Sequence, residues 1–333
     1  IDPIGQGERL QYLGEDLNSW VGGPVFEHMY AGNQQVLVGE SFASWRTWDG
    51  IRGIDYLVSR EEVDPSHIGV TGSSGGGTQS TWICANDRRI TMGAPSCFVT
   101  TFRRNFENEL PSDSEQYPPF ALSQGLDMSD FLAAMAPKPV LILSQYKDFF
   151  DWRGAQKSYE NLLPLYRALD AEDNVAIHIG PEFHSFSEPS RGKMYELFNR
   201  ATGVFNTSSE PNVAPENDRV LWCSPRGQVV ADYDSRTVSW FTRAKAKKKK
   251  EASARKQGLA AGDSQFKSQN AVISATSPDT RPSSSAQVSS SSGLQPHVVS
   301  PAPAACQTVE SKHPAAVFQA QDTAPQVRDH PLH

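Results

Sequence analysis

The chain has 333 residues, enough for one large domain with extras. Its 38% hydrophobic and 21% charged residues suit a soluble protein that carries some unfolded sequence. A formal net charge of −7 exerts no global pull on nucleic acid or anionic lipid, and no apolar run is long enough to span a bilayer.

Cys84, Cys97, Cys223 and Cys306 show neither metal-ligand spacing nor a dense disulfide framework. Cys84 and Cys97 are read as reduced core thiols, with a pairing between them as the alternative for an exported protein. No signal peptide is visible. The chain opens at Ile1-Asp2-Pro3 without an initiator Met, which reads as the middle of a fold with its first strands missing.

Ile1 to Glu8 reads as the end of a strand entering a turn, and Leu10 to Gln35, with scattered aromatics and glycines, as an irregular connection. Ser41 to Ser59 is predicted as a helix. Trp45, Trp48, Ile51, Ile54, Tyr56, Leu57 and Val58 recur at helical spacing, with Asp49, Arg52 and Asp55 between them. Val63-Asp64-Pro65-Ser66-His67 is a turn in which His67 is an ordinary exposed residue. A short strand then runs into Gly72-Ser73-Ser74-Gly75-Gly76-Gly77 and a helix from Thr78 to Asn86.

Ile90 to Pro95 is the next strand, and Arg103 to Asp127 has the look of an insertion capping a pocket. A short helix over Met128 to Ala136 follows. Pro139 to Leu143 is a continuous apolar run, the signature of a strand buried on both faces. Ala155 to Leu169 is an amphipathic helix, Val175 to Ile179 the last strand, and Arg191 to Ala201 the closing helix. Strands and helices alternating at this spacing predict an α/β, doubly wound, mostly parallel sheet over residues 1–205.

Beyond it, 206–243 reads as a linker with a possible small β-hairpin, built from Val220–Cys223 and Gly227–Val230. Residues 244–333 read as a disordered low-complexity tail. The basic run Lys245 to Lys250 has no interleaved aromatics and is read as solvated, so no nucleic-acid partner is expected.

Gly72-x-Ser74-x-Gly76 matches a nucleophile elbow, a sharp strand-to-helix turn that lifts a serine Oγ clear of the sheet. No Gly-Lys-Ser/Thr ending follows, which argues against a phosphate-binding loop. Ser73 is the rival nucleophile, but only Ser74 has glycines two residues away on both sides. Asp148, directly after the apolar strand, is the candidate acid, with Asp151 as the alternative and as the better helix cap. His184 follows the last strand and is the candidate base. His178 lies within that strand and is rejected. The chain order Ser, Asp, His is that of α/β-hydrolases. The Gly75 N–H is expected to be one oxyanion donor, and the loop that normally carries the second is not in this sequence.

Together, Asp2-Pro3-Ile4-Gly5-Gln6-Gly7-Glu8-Arg9, Val63-Asp64-Pro65 ahead of the elbow, Lys147-Asp148-Phe149-Phe150-Asp151 and Phe183-His184-Ser185-Phe186 resemble acetylxylan esterase-like α/β-hydrolases. Gly5-Gln6-Gly7 looks like the Arg-Gly-Gln-Gly turn of the acetylxylan/cephalosporin deacetylases, with Ile4 as a departure. The Leu221 to Arg243 segment looks like the linker after the first domain of longer, two-domain bacterial members.

The resemblance implies hydrolysis of a small-molecule or carbohydrate ester, acetyl esters foremost. Ser74 is then the nucleophile, His184 the base and Asp148 its orienting acid, with no metal or organic cofactor and no membrane partner. A prolyl oligopeptidase-type serine peptidase is the competing enzyme, and Ser74 argues against a dienelactone hydrolase, which uses cysteine there. The reading from another class is a catalytically incomplete fragment with an unpaired sheet edge and an interaction role.

Overall fold

The computed structural model describes residues 1–108, 112–204, 207–212, 214–274 and 316–320. The chain divides into two units, one formed by 1–245 with 312–333 and the other by 246–311. The first holds a parallel sheet of four consecutive strands: β1 (Ile68–Ser73), β2 (Ile90–Ser96), β3 (Val140–Gln145) and β4 (Val175–Gly180). They lie in the order β4-β3-β2-β1. On its outer side β1 pairs, also parallel, with β5 (Ala316–Ala320), so the edge expected to stand open is occupied.

Alternation along β3 explains its unbroken apolar run. Val140 and Ile142 enter the larger core, with Ile54 of helix α2 (Phe42–Val58), Ile83 of α3 (Gly75–Asn86), Leu132 of α5 (Met128–Ala133) and Leu162 of α6 (Trp152–Ala168). Leu141 and Leu143 enter the opposite layer, beside Met194, Leu197 and Phe198 of α7 (Glu188–Thr202). The short helix α4 (Phe102–Phe106) opens the 102–127 insertion. Each face of the strand is thus buried by helices, as a parallel sheet requires.

The N-terminal third departs from expectation. Ile1 to Glu8 forms turns and a 3₁₀ turn at Gly7–Arg9, with no strand. Within the expected irregular connection lies helix α1 (Pro24–Val36), started by a proline in its first turn. Its buried face is polar or small (Glu27, His28, Ala31, Gly32, Gln35), so no apolar period announces it.

Helix α2 forms where expected but buries a different face. Ala43, Arg46, Thr47, Gly50 and Ile54 point inward, while Trp48 and Tyr56 are 57% and 62% exposed. Gly50 lets α2 approach α3 closely, because a Cβ there would fall on the Ile83 side chain.

In place of the β-hairpin there are two short helical turns, α8 (Asp218–Leu221) and α9 (Val229–Asp232). This linker docks on the N-terminal turn. Glu8 accepts hydrogen bonds from the N–H groups of Cys223 and Ser224, at 2.6 and 2.8 Å, and from Ser224 Oγ at 2.5 Å. Burial works to raise the Glu8 pKa, but these donors outweigh it and hold the carboxyl below its ordinary value. Helix α10 (Val238–Ser274) carries the basic run, and the rest of the expected disordered tail, β5 apart, lies outside the described residues. Among the described residues no helix is long and apolar enough to cross a membrane.

Candidate active site

Ser74 stands between the end of β1 and the start of α3 with φ 57° and ψ −117°, a backbone conformation that L-residues rarely adopt. The neighbouring glycines make that turn possible. A Cβ on Gly72 would lie 2.7–2.8 Å from the backbone of Gly76, and one on Gly77 would fall inside the Ser96 carbonyl. The Ser74 N–H donates to Ser96 O at 3.0 Å, tying the turn to the end of β2.

Helix α3 is buried through its first ten residues. Its hydroxyls are satisfied within the helix: Thr78, Ser80 and Thr81 donate to the carbonyls of Ser74, Gly76 and Gly77. Ser74 is therefore set by backbone geometry and close packing, the arrangement its sequence context predicts.

Asp148 and His184 come together at the carboxyl ends of β3 and β4. His184 Nδ1 lies 2.8 Å from Asp148 Oδ1, which also accepts the Phe150 N–H at 3.0 Å. The Asp148 side chain is fully buried and that of His184 is 16% exposed. The ring of Phe149 stacks on the imidazole with centroids 4.3 Å apart.

Asp151 is not part of this pair. Its side chain caps α6 through the Arg153 N–H and pairs with the Arg153 guanidinium. His178 stays in β4, and burial lowers its pKa. His67, expected as an ordinary exposed turn residue, has Nδ1 2.6 Å from Asp64 Oδ2. The Asp148–His184 contact is closed, whereas Ser74 Oγ makes no hydrogen bond to His184; contacts between catalytic groups commonly tighten only when substrate binds.

Gln145, which the sequence did not single out, and Cys97, read from it only as a core thiol, hold the His184 loop. Gln145, the last residue of β3 and fully buried, donates to Ser185 O at 3.1 Å and accepts the Glu182 N–H at 3.2 Å. Cys97 follows β2 with φ 51°, and its Sγ donates to Ser185 O at 3.2 Å. Sγ also lies within 4.8 Å of ligating atoms of both Asp148 and His184. A cysteine at the end of a strand carries no sequence signal of such a contact.

Burial pushes the thiols of Cys97 and Cys84 up to about 12, and both are free and buried while Cys223 is exposed. Because the thiolate is the reactive form, iodoacetamide at neutral pH is expected to modify Cys223 in the native protein. Cys84 and Cys97 are expected to react only after denaturation, as read by peptide mass mapping. Native labelling of Cys97 would contradict this packing.

A second charged cluster lies under the elbow. Arg46 is ion-paired with Glu115, and its Nη1 is 3.4 Å from His28 Nε2, whose Nδ1 is in turn 2.6 Å from Asp113 Oδ2. Arg46 Nη2 donates to Gly75 O at 3.2 Å. All four side chains are at most 5% exposed. His28, Asp113 and Glu115 have ligand-type atoms within 4.8 Å of one another, as do Cys97, Asp148 and His184. In the first group the Arg46 guanidinium already supplies the positive charge. In the second the thiol holds its proton and Nδ1 is committed to Asp148, so neither set suits a cation as it stands.

A serine in a strained strand-to-helix turn and a His–Asp pair at the carboxyl ends of two later parallel strands are the marks of the α/β-hydrolase class. No protein-family model matches the chain. It is similar to the Bacillus subtilis (strain 168) protein named "Putative hydrolase YtaP", 26% identical over 142 residues, which are 42% of this chain and 48% of that protein. The chain thus spans about half the length of this curated relative. Among solved structures, it is similar to methylesterase BT1017, with a TM-score of 0.48 and 22% identity over 67% of this chain and 52% of that one. It is also similar to a glucuronoyl esterase from Solibacter usitatus, with a TM-score of 0.41 and 21% identity over 48% of each chain.

Proposed function

We propose that the protein is a serine carboxylic-ester hydrolase in which Ser74, His184 and Asp148 act as nucleophile, base and orienting acid. The observation that carries this reading is the backbone of Ser74, a non-glycine residue held at φ 57° where β1 turns into α3. A structural turn has no need of a serine in that conformation, whereas a nucleophile does. The Asp148–His184 contact supplies the rest of the chemistry.

His184 Nε2 takes the Ser74 proton as Oγ attacks the ester carbonyl, and Asp148 fixes the tautomer and stabilises the imidazolium. The Gly75 N–H, at the first position of α3, faces the developing oxyanion with the positive end of the helix dipole behind it. The protonated His184 then releases the alcohol, and water completes the cycle through the acyl-serine.

Short acyl esters of carbohydrate are the leading substrates. They are supported by the likeness of the Asp2–Arg9 turn and the Phe183–Phe186 segment to acetylxylan esterase-like enzymes. The test is a substrate panel of 4-nitrophenyl acetate, butyrate and octanoate beside a Gly-Pro 4-nitroanilide. The expected order is acetate above butyrate above octanoate, with no anilide cleavage. Turnover of the anilide in preference to every ester would assign a peptidase instead.

A further inference from the structure

Beside Asp148 opens a pocket of about 530 Å³ that the mechanism above does not use. One wall is aromatic. Tyr146 stacks on Trp152 with centroids 5.3 Å apart at 26°, yet 60% of Tyr146 remains exposed. Phe149, which covers the His184 ring, is 41% exposed at the same opening. Both ends of this wall are anchored: the Tyr146 N–H donates to Gly180 O at 2.7 Å, and Asn108 Nδ2 donates to Phe149 O at 2.7 Å.

The rest of the lining is charged and ion-paired. Arg104 lies 3.1 Å from Glu107 and 3.7 Å from Asp151, which in turn holds Arg153 at 2.7 Å. Two guanidiniums thus face two carboxylates, Glu107 is held by Arg103 as well at 2.9 Å, and the fully buried Asp148 carboxyl lies against His184.

An aromatic face beside donors and acceptors already held in ion pairs matches one ligand chemistry. An anion would find each guanidinium already paired, and a purely apolar group would strand the charged wall. A neutral sugar ring presents an apolar C–H face on one side and hydroxyls around its rim. We infer that this pocket binds a neutral sugar residue of the substrate, with Tyr146 and Trp152 as the stacking platform and the Arg104–Glu107–Asp151–Arg153 wall bonding its hydroxyls. That the sugar carries the scissile ester rests on the function proposed above; the binding itself does not.

The experiment is isothermal titration calorimetry of the full chain carrying Ser74→Ala with neutral xylo-, gluco- and manno-oligosaccharides and with an oligogalacturonide. At least one neutral glycan is expected to bind with a Kd on the order of 1 mM or tighter. Tyr146→Ala and Trp152→Ala should each weaken it roughly tenfold, with the thermal melt checked for each. Binding by no neutral glycan, unchanged affinity in both variants, or tighter binding of the uronate would overturn the proposal.

The two readings fail separately. If Ser74 is not a nucleophile, glycan binding and its dependence on Tyr146 persist without ester turnover. If the pocket is not a sugar site, 4-nitrophenyl acetate is still hydrolysed while the glycans give no heat.

Discussion

Ser74→Ala is expected to lower kcat for ester hydrolysis by roughly a million-fold, close to the uncatalysed background plus whatever binding and the oxyanion donor contribute. The triad acts as a unit, so His184→Ala in the same background should add almost nothing further. Asp148→Asn is expected to cost less, about 10⁴-fold, because it misorients the imidazole without removing the base. The Asp148 side chain is fully buried, its Oδ1 lies 2.8 Å from His184 Nδ1 and accepts the Phe150 N–H, and an amide there would lack the negative charge that stabilises the imidazolium. Stopped assays with 4-nitrophenyl acetate read all three. A Ser74→Ala protein retaining a tenth of the activity would remove Ser74 from the mechanism.

Arg46→Leu is expected to destabilise the fold by about 3–5 kcal/mol, since it leaves Glu115 charged, buried and without its guanidinium. For a domain of this size that is a fall in Tm of about 6–20 °C. Arg46→Lys should not restore it. One ammonium cannot reach Glu115, His28 and the Gly75 carbonyl together, as the guanidinium fork does. Because Gly75 follows Ser74 directly, the surviving folded protein should also lose kcat. Thermal and urea unfolding measure the first effect, and a loss of stability below about 1 kcal/mol would mean the cluster is open to water.

The features legible in the sequence are those where local chemistry decides the structure. The elbow glycines and the apolar run of β3 carry their meaning within a few residues, and Asp148 and His184 each follow directly on a strand, where parallel neighbours bring them into contact. What was not legible depends on distant partners. Arg46 lies on the inward face of α2 because Glu115, His28 and Gly75 meet it there, and no periodicity shows that a charged residue outranks Trp48 for burial. Helix α1 hides because its buried face is polar, satisfied in part by Glu27 accepting the N–H groups of Gln11 and Tyr12.

The expected hairpin gave way for a similar reason. Gly227, at φ 75°, packs against the Trp222 ring, and Glu8, more than 200 residues away in sequence, accepts the N–H groups of Cys223 and Ser224. A strand pairing would have withdrawn those groups.

The proposed mechanism requires the Ser74 Oγ to be an activated nucleophile. Its most direct measurement is reaction of the full chain with a fluorophosphonate, followed by peptide mass mapping. A single stoichiometric adduct is expected on Ser74, one that vanishes in Ser74→Ala and forms far more slowly in His184→Ala. A folded protein that forms no adduct, or forms it on Ser73 or another residue, would contradict it.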